Sequence, residues 1–153
     1  MITIEKTTLI NAPAQVCFDL ARDVDDHVES MKSTGERVVA GKMSGLLELG
    51  DTMTLEARQF GIRFRLTAKI TSMDAPSEFV DEMVSGPFKR LWHVHRFDEV
   101  DGVTTMYDRM EVTAPFGPLG WVAERLVIRR QLTAVLEKRH VHIKKRAEEL
   151  AHT

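Results

Sequence analysis

The stretch RLWHVHRFDEVDGVTTMYDRMEV, residues 90–112, decides the fold. Two runs of alternating polar and apolar residues flank Asp101-Gly102, a dipeptide that tolerates the positive φ angles of a two-residue hairpin turn. If Val100 faces Val103 across that turn, every later cross-strand pair follows by counting outward. One face then carries Phe97 opposite Met106, His95 opposite Asp108, His93 opposite Met110 and Leu91 opposite Val112. The other carries Asp98 opposite Thr105, Arg96 opposite Tyr107, Val94 opposite Arg109 and Trp92 opposite Glu111, a set suited to solvent. The count predicts a one-sided antiparallel hairpin with both histidines and Asp108 turned inward.

The pattern extends outward from this hairpin. Residues 36–113 read as about six successive strands divided by AGKMSG, ELGD, FG, MDAPSE, SGP and DG. Counting from Phe60-Gly61 pairs Ala57 with Phe64, Leu55 with Leu66 and Met53 with Ala68, and sets Glu56 opposite Arg65 on the charged face. A slip of one residue there would turn Glu56 inward. Before these strands, Ile2, Ile4, Leu9 and Ile10 mark a first strand. A helix follows over residues 13–22 with Pro13 in its first turn, then a second over 25–31, where Asp23, Asp25 and Asp26 suit the positive end of the helix dipole. After APFGPLG, a long helix is predicted over residues 119–150. Val122, Leu126, Leu132, Leu136, Ile143, Ala147 and Leu150 form its apolar stripe. At 1.5 Å per residue it would be on the order of 45 Å long, enough to cross a whole sheet.

The 153 residues suffice for one domain with a real core, expected to cover residues 1–153. A net charge of −2, from 21 basic and 23 acidic residues spread along the chain, argues against nucleic acid as a partner. Neither a basic leader with an apolar signal core nor a bilayer-length apolar run is evident, so a cytoplasmic protein without stable membrane insertion is expected. The one cysteine, Cys17, excludes an intrachain disulfide and a multi-cysteine zinc site, and is expected inside a helix. Arg129, Arg130, Lys138, Arg139, Lys144, Lys145 and Arg146 are expected on a solvated helix face, and Phe116 and Trp121 are expected to pack the helix start. Hydrolase and nucleotide-binding functions are disfavoured, because no phosphate-binding glycine loop, nucleophile-elbow serine or convincing carboxylate pair is found.

The segments NAPAQVCFDL, ITSMDAPSEFVDEMVSGPF, HVHRFDEVDGVTTMYDRMEV and APFGPLG, in this order and spacing, resemble the START-like helix-grip (SRPBCC) superfamily. That superfamily includes polyketide cyclases and dehydrases, pollen-allergen-like carriers and lipid-transfer domains. The resemblance implies an α+β helix-grip fold: a curved antiparallel sheet of about seven strands wrapped around a long C-terminal helix, with two short helices after the first strand. It also implies a cavity between sheet and helix, but not the chemistry done there.

That cavity is expected to be lined by Leu55, Phe64, Leu66, Leu91, His93, His95, Phe97, Met106, Asp108, Met110 and Leu132. Three functions fit. The first is a carrier for an apolar small molecule such as a lipid, isoprenoid or polyketide, oriented by His93, His95 and Asp108. The second is a cyclase or dehydratase in which His95 relays a proton and Asp108 orients it. The third is an interaction module whose interior is packed solid between Phe64, Met110 and Leu132. His93, His95 and Asp108 could reach a cation, but no fourth ligand can be named and His95 and Asp108 satisfy each other, so neither a metal nor a cofactor is assigned. Monomer and homodimer both stay open.

Overall fold

Alternation builds the first strand, β1 (Ile2–Ile10), in which Ile2, Ile4 and Ile10 are buried. The computed structural model describes residues 1–59 and 61–153, Gln59 by its backbone alone. Two short helices follow, α1 (Ala14–Ala21) and α2 (Val24–Ser30), with the Asp23 carboxylate accepting from the first-turn amides of α2. Six strands then run in succession: β2 (Arg37–Gly41), β3 (Thr52–Gln59), β4 (Ile62–Asp74), β5 (Glu78–Ser85), β6 (Arg90–Val100) and β7 (Val103–Thr113). All neighbours are antiparallel in the order β1-β7-β6-β5-β4-β3-β2. Register shifts in the β2–β3 and β4–β5 pairs increase the local twist that lets the sheet curve. This is the helix-grip architecture that the resemblance implies.

The counted registers hold. His95 pairs with Asp108, His93 with Met110 and Phe97 with Met106. Leu55 pairs with Leu66 and Glu56 with Arg65, although the Phe60 half of the turn used for that count lies outside the described residues. Glu56 stays on the outer face and is nonetheless buried, because Arg37, Arg63 and Arg65 close over its carboxylate. Val94, expected in solvent, is also buried on that face, directly opposite Val80 of β5, which is buried too. The hairpin count could not foresee it because it contained only two of the strands.

The C-terminal helix begins earlier than expected and is not uniform. Its segments are α3 (Gly117–Ala123), a π-helical turn over Glu124–Ile128, and α4 (Arg129–Ala151). A π turn advances the chain by more residues per turn than an α turn and so changes the phase of the stripe. Val122 and Leu126 therefore fall on the exposed side, and Glu124 turns inward. Its carboxylate accepts from the Ala114 amide at 2.8 Å and from the N-terminal ammonium at 3.1 Å. Leu136, Ile143 and Ala147 keep their predicted burial, whereas Leu150 at the other end is exposed. Phe116 and Trp121 do not pack the helix start: both are exposed, and the Arg125 guanidinium lies 4.0 Å from the centre of the Trp121 ring. Arg139 departs from the solvated basic face as well. It is buried and donates to Ser30 Oγ at 2.9 Å and to the Ala21 carbonyl at 3.2 Å, beside Asp26.

The core under α1 is aromatic. Phe18 has no exposed surface and meets Phe79 and Phe97 edge-on, with ring centres 5.4 and 5.6 Å away. Cys17 beside it is fully buried as expected, and burial pushes its thiol up to about 11, so it is not a nucleophile at neutral pH. Phe18→Ala would empty the space where helix and sheet meet. Urea denaturation should show a loss of about 3–5 kcal/mol, and a loss below 1 kcal/mol would contradict this view of the core.

Candidate functional site

Between the concave sheet face and α4 lies a cavity of about 220 Å³. Apolar walls come from the sheet, through Leu55, Leu66, Ile70, Phe79, Leu91, Met106 and Met110, and from α4, through Leu132, Leu136 and Ile143. Of the residues expected to line it, Phe64 and Phe97 do not. Phe64 stands near the hairpin end of β4, two pairs from the turn, and Phe97 is packed against Phe18 and Phe79. The space between Met110 and Leu132 is thus not packed solid.

The polar part of the wall holds His93, His95, Asp108, Asp81 and His140, and Arg22, Asp23, His27, Glu36 and Arg139 also line the cavity. Strand alternation places His93 and His95 on the inner face of β6 and Asp108 beside them on β7. Asp81 comes from β5, where it pairs with His93, and His140 comes from α4, on the same stripe as Leu136 and Ile143. Neither Asp81 nor His140 figures in the hairpin count. Both carried a signal: Asp81 alternates with buried Phe79, and His140 follows Leu136 by four residues and precedes Ile143 by three.

Asp108 is the hub. Its Oδ2 accepts from His93 Nε2 at 2.6 Å and lies 3.0 Å from His95 Nδ1, while its Oδ1 accepts from His140 Nε2 at 2.9 Å. The tautomer of His140 protonated at Nε2 satisfies that bond and lets Nδ1 accept from the Thr8 hydroxyl at 2.8 Å. His95 Nε2 is 2.6 Å from Asp81 Oδ2, so both nitrogens of His95 face carboxylates. Its ring lies between those of Phe79 and His93, stacked at 4.1 and 3.8 Å. His93 differs, since its Nδ1 stands 3.8 Å from Asp81 Oδ2, too far for a hydrogen bond. The cavity-facing nitrogen with spare capacity therefore belongs to His93, whereas the predicted relay residue His95 is engaged at both ends.

The electrostatics follow from these contacts. Burial alone would lower the His95 pKa, but the Asp108 charge, with hydrogen bonds to Asp108 and Asp81, outweighs it and lifts the imidazole to about 9. Burial would likewise raise the Asp108 carboxyl, yet the His95 charge and hydrogen bonds from His140, His93 and His95 hold it well below the usual carboxylate range. Asp81 is also lowered: attraction to His93 and the hydrogen bond and charge of His95 outweigh its burial.

Known proteins share this architecture. The model of the family described as polyketide cyclase / dehydrase and lipid transport matches residues 10–136. The fold is similar to that of TTHA0849 from Thermus thermophilus, with a TM-score of 0.72 at 16% identity over 95% of this chain and 99% of that one. A START superfamily protein from Mycobacterium smegmatis gives 0.67 at 12% identity over 97% and 98% of the two chains. The di-domain ARO/CYC protein BexL gives 0.72 at 16% identity, where 96% of this chain corresponds to 50% of that one. No curated protein sequence matches the chain. Among the described residues no helix is long and apolar enough to cross a membrane.

Because the folded pKa of His95 lies above its ordinary value of 6.5, its contribution to stability is complete below pH 6.5 and is lost as pH rises through about 9. In chelator-treated protein, urea stability should decline across that window by at most about 3 kcal/mol. His95→Gln should flatten the decline, and an unchanged profile in that variant would refute the assignment.

Proposed function

This chain belongs to the polyketide cyclase / dehydrase and lipid transport family, and we propose that it binds one small, mostly apolar molecule carrying a polar group in the cavity between its sheet and α4. The observation that carries this reading is the make-up of the wall: most of it is apolar, from aliphatic, thioether and Phe79 side chains, and its polar part holds the hydrogen-bonded His93, His95, Asp81, Asp108 and His140 cluster beside Arg22, Asp23, His27, Glu36 and Arg139. Burial in the apolar part supplies affinity, and the polar cluster fixes orientation. Met53, Met106 and Met110 let the wall adapt to the shape of its occupant.

Size narrows the ligand class. A cavity of about 220 Å³ exceeds the roughly 150 Å³ that encloses a benzene, and falls below the roughly 300 Å³ at which ordinary ligand pockets begin. A molecule of one or two rings fits this space, while a long acyl chain or a four-ring polyketide would need the cavity to widen. The polar cluster suits a carbonyl, enol or phenol oxygen, which can exchange hydrogen bonds with imidazole.

A second reading, acid/base catalysis of the cyclase or dehydratase type, is favoured by one feature. Asp108 holds His93 through Nε2 and leaves Nδ1 toward the cavity, the arrangement in which a carboxylate orients an imidazole to exchange a proton. The group to test for turnover is then His93 rather than His95.

Native mass spectrometry of the protein from its own host should reveal a co-purifying small molecule. Leu132→Trp, which fills the cavity, should abolish its retention while costing about 1–3 kcal/mol in stability. Retention by the folded Leu132→Trp variant would place the ligand elsewhere. Turnover of a cyclisable aromatic ketone that His93→Gln eliminates, with binding retained, would favour the catalytic reading.

A further inference from the structure

We propose that Asp81, His93 and His95 form a site for one divalent first-row transition-metal ion at the polar wall of the cavity. The sequence alone argues against a metal because it supplies His93, His95 and Asp108 with no further ligand and engages His95 with Asp108. The fold changes both points. Strand β5 brings in Asp81, and one ligand atom from each of Asp81, His93 and His95 lies within 4.8 Å of the others. Asp108 takes the opposite nitrogens: Nε2 of His93 and Nδ1 of His95. That leaves His93 Nδ1 and His95 Nε2 directed at the same oxygen, Asp81 Oδ2.

This division of labour is what a metal centre needs. Metal-binding histidines nearly always give their other ring nitrogen to a carboxylate or carbonyl, which fixes the ring and raises its basicity. Here one carboxylate serves both rings, and is held from its other oxygen by His140, itself fixed by Thr8. Two imidazoles and one carboxylate on adjacent strands form a facial donor set that suits zinc or ferrous ions, with further positions turned toward the cavity. Around an ion with bonds of about 2.0–2.1 Å, tetrahedral donors stand roughly 3.3 Å apart. The Asp81–His95 and Asp81–His93 separations of 2.6 and 3.8 Å bracket that value, and all three donors lie within 4.8 Å of one another, so modest side-chain shifts would seat an ion.

The contacts of His95 point the same way. Carboxylates of Asp81 and Asp108 flank its two nitrogens, at Nε2 and Nδ1 respectively. A dication at Nε2 would take the place of the proton in the bond to Asp81, and the displaced proton leaves to solvent. Thus the hydrogen bond between His95 and Asp81 is the metal-free form of the site, with a proton where the ion sits. An ion there would polarise the ligand oxygen that the cavity presents to it, but the metal site stands whether or not an organic molecule binds.

The test uses tag-free protein, treated with chelator and titrated with Co²⁺ or Zn²⁺ alone at pH 7.5. One equivalent should bind saturably, alter the visible absorption of Co²⁺ and raise the melting temperature. His95→Gln and Asp81→Asn, checked for folding by circular dichroism, should lose this binding. Asp108→Asn should weaken it by about 10–100-fold. Imidazole ¹⁵N spectra of the unaltered protein supply a readout independent of any variant: Zn²⁺ should remove the proton from His95 Nε2 and leave the one on Nδ1. Absence of one-to-one binding, or binding that survives His95→Gln and is lost in His142→Ala, which lies beside Asp26 on another surface, would overturn the proposal.

Discussion

Asp108 is the constraint on which the rest of this structure depends. Its two oxygens engage imidazoles of β6 and α4, and through His140 the chain of hydrogen bonds reaches Thr8 on β1. One carboxylate therefore couples the inner strands, the edge strand β1 and the helix that the sheet grips. An isolated buried carboxylate would be costly, and three imidazole partners are what make this one tolerable. They also hold it ionised and, in turn, keep His95 protonated. Fold and candidate site thus draw on the same atoms: the group that closes the structure also orients the cavity histidines.

The apolar wall answers a different requirement. Burying side chains against α4 drives the helix onto the sheet, but complete packing would leave no room for a ligand. The chain separates the two tasks along its length. The Phe18, Phe79 and Phe97 cluster packs tightly under α1, while the apolar wall of the space beside α4 is mostly aliphatic and thioether, with Phe79 shared between the two. In the proposed function, the size of that space suits a compact occupant and the histidines meet its polar group. The proposed metal site occupies the same part of the wall, so ligand orientation and cation binding would converge on Asp81, His93 and His95.

The hairpin around Asp101-Gly102 was legible because its turn defines a register and its alternation defines a face. Those two rules placed His95 against Asp108 and turned the histidines inward. The same rules did not reach Asp81, because the connection from β5 to β6 runs through Gly86, Pro87, Phe88 and Lys89 and offers no two-residue turn from which to count a register. His140 lay on the predicted apolar stripe, but helical spacing says which side chains share a face and not which strand residue they meet. Arg139 was read as surface because charge is ordinarily solvated, and only the approach of α2 supplies the Ser30 and Asp26 partners that let it be buried.

Local chemistry in the sequence determined the order of strands and helices, the antiparallel pairing and the inward face of the central hairpin, since turn residues and side-chain periodicity act over a few residues. The tertiary structure decided who shares Asp108, which nitrogen of each histidine is engaged, where the π turn reverses the burial of Val122 and Glu124, and that space remains beside Met110. Those outcomes depend on distances between elements far apart in the chain, which no periodicity encodes. A pair of histidines facing an aspartate thereby became a cluster from β1, β5, β6, β7 and α4, with His95 held at both ends and His93 directed toward the cavity.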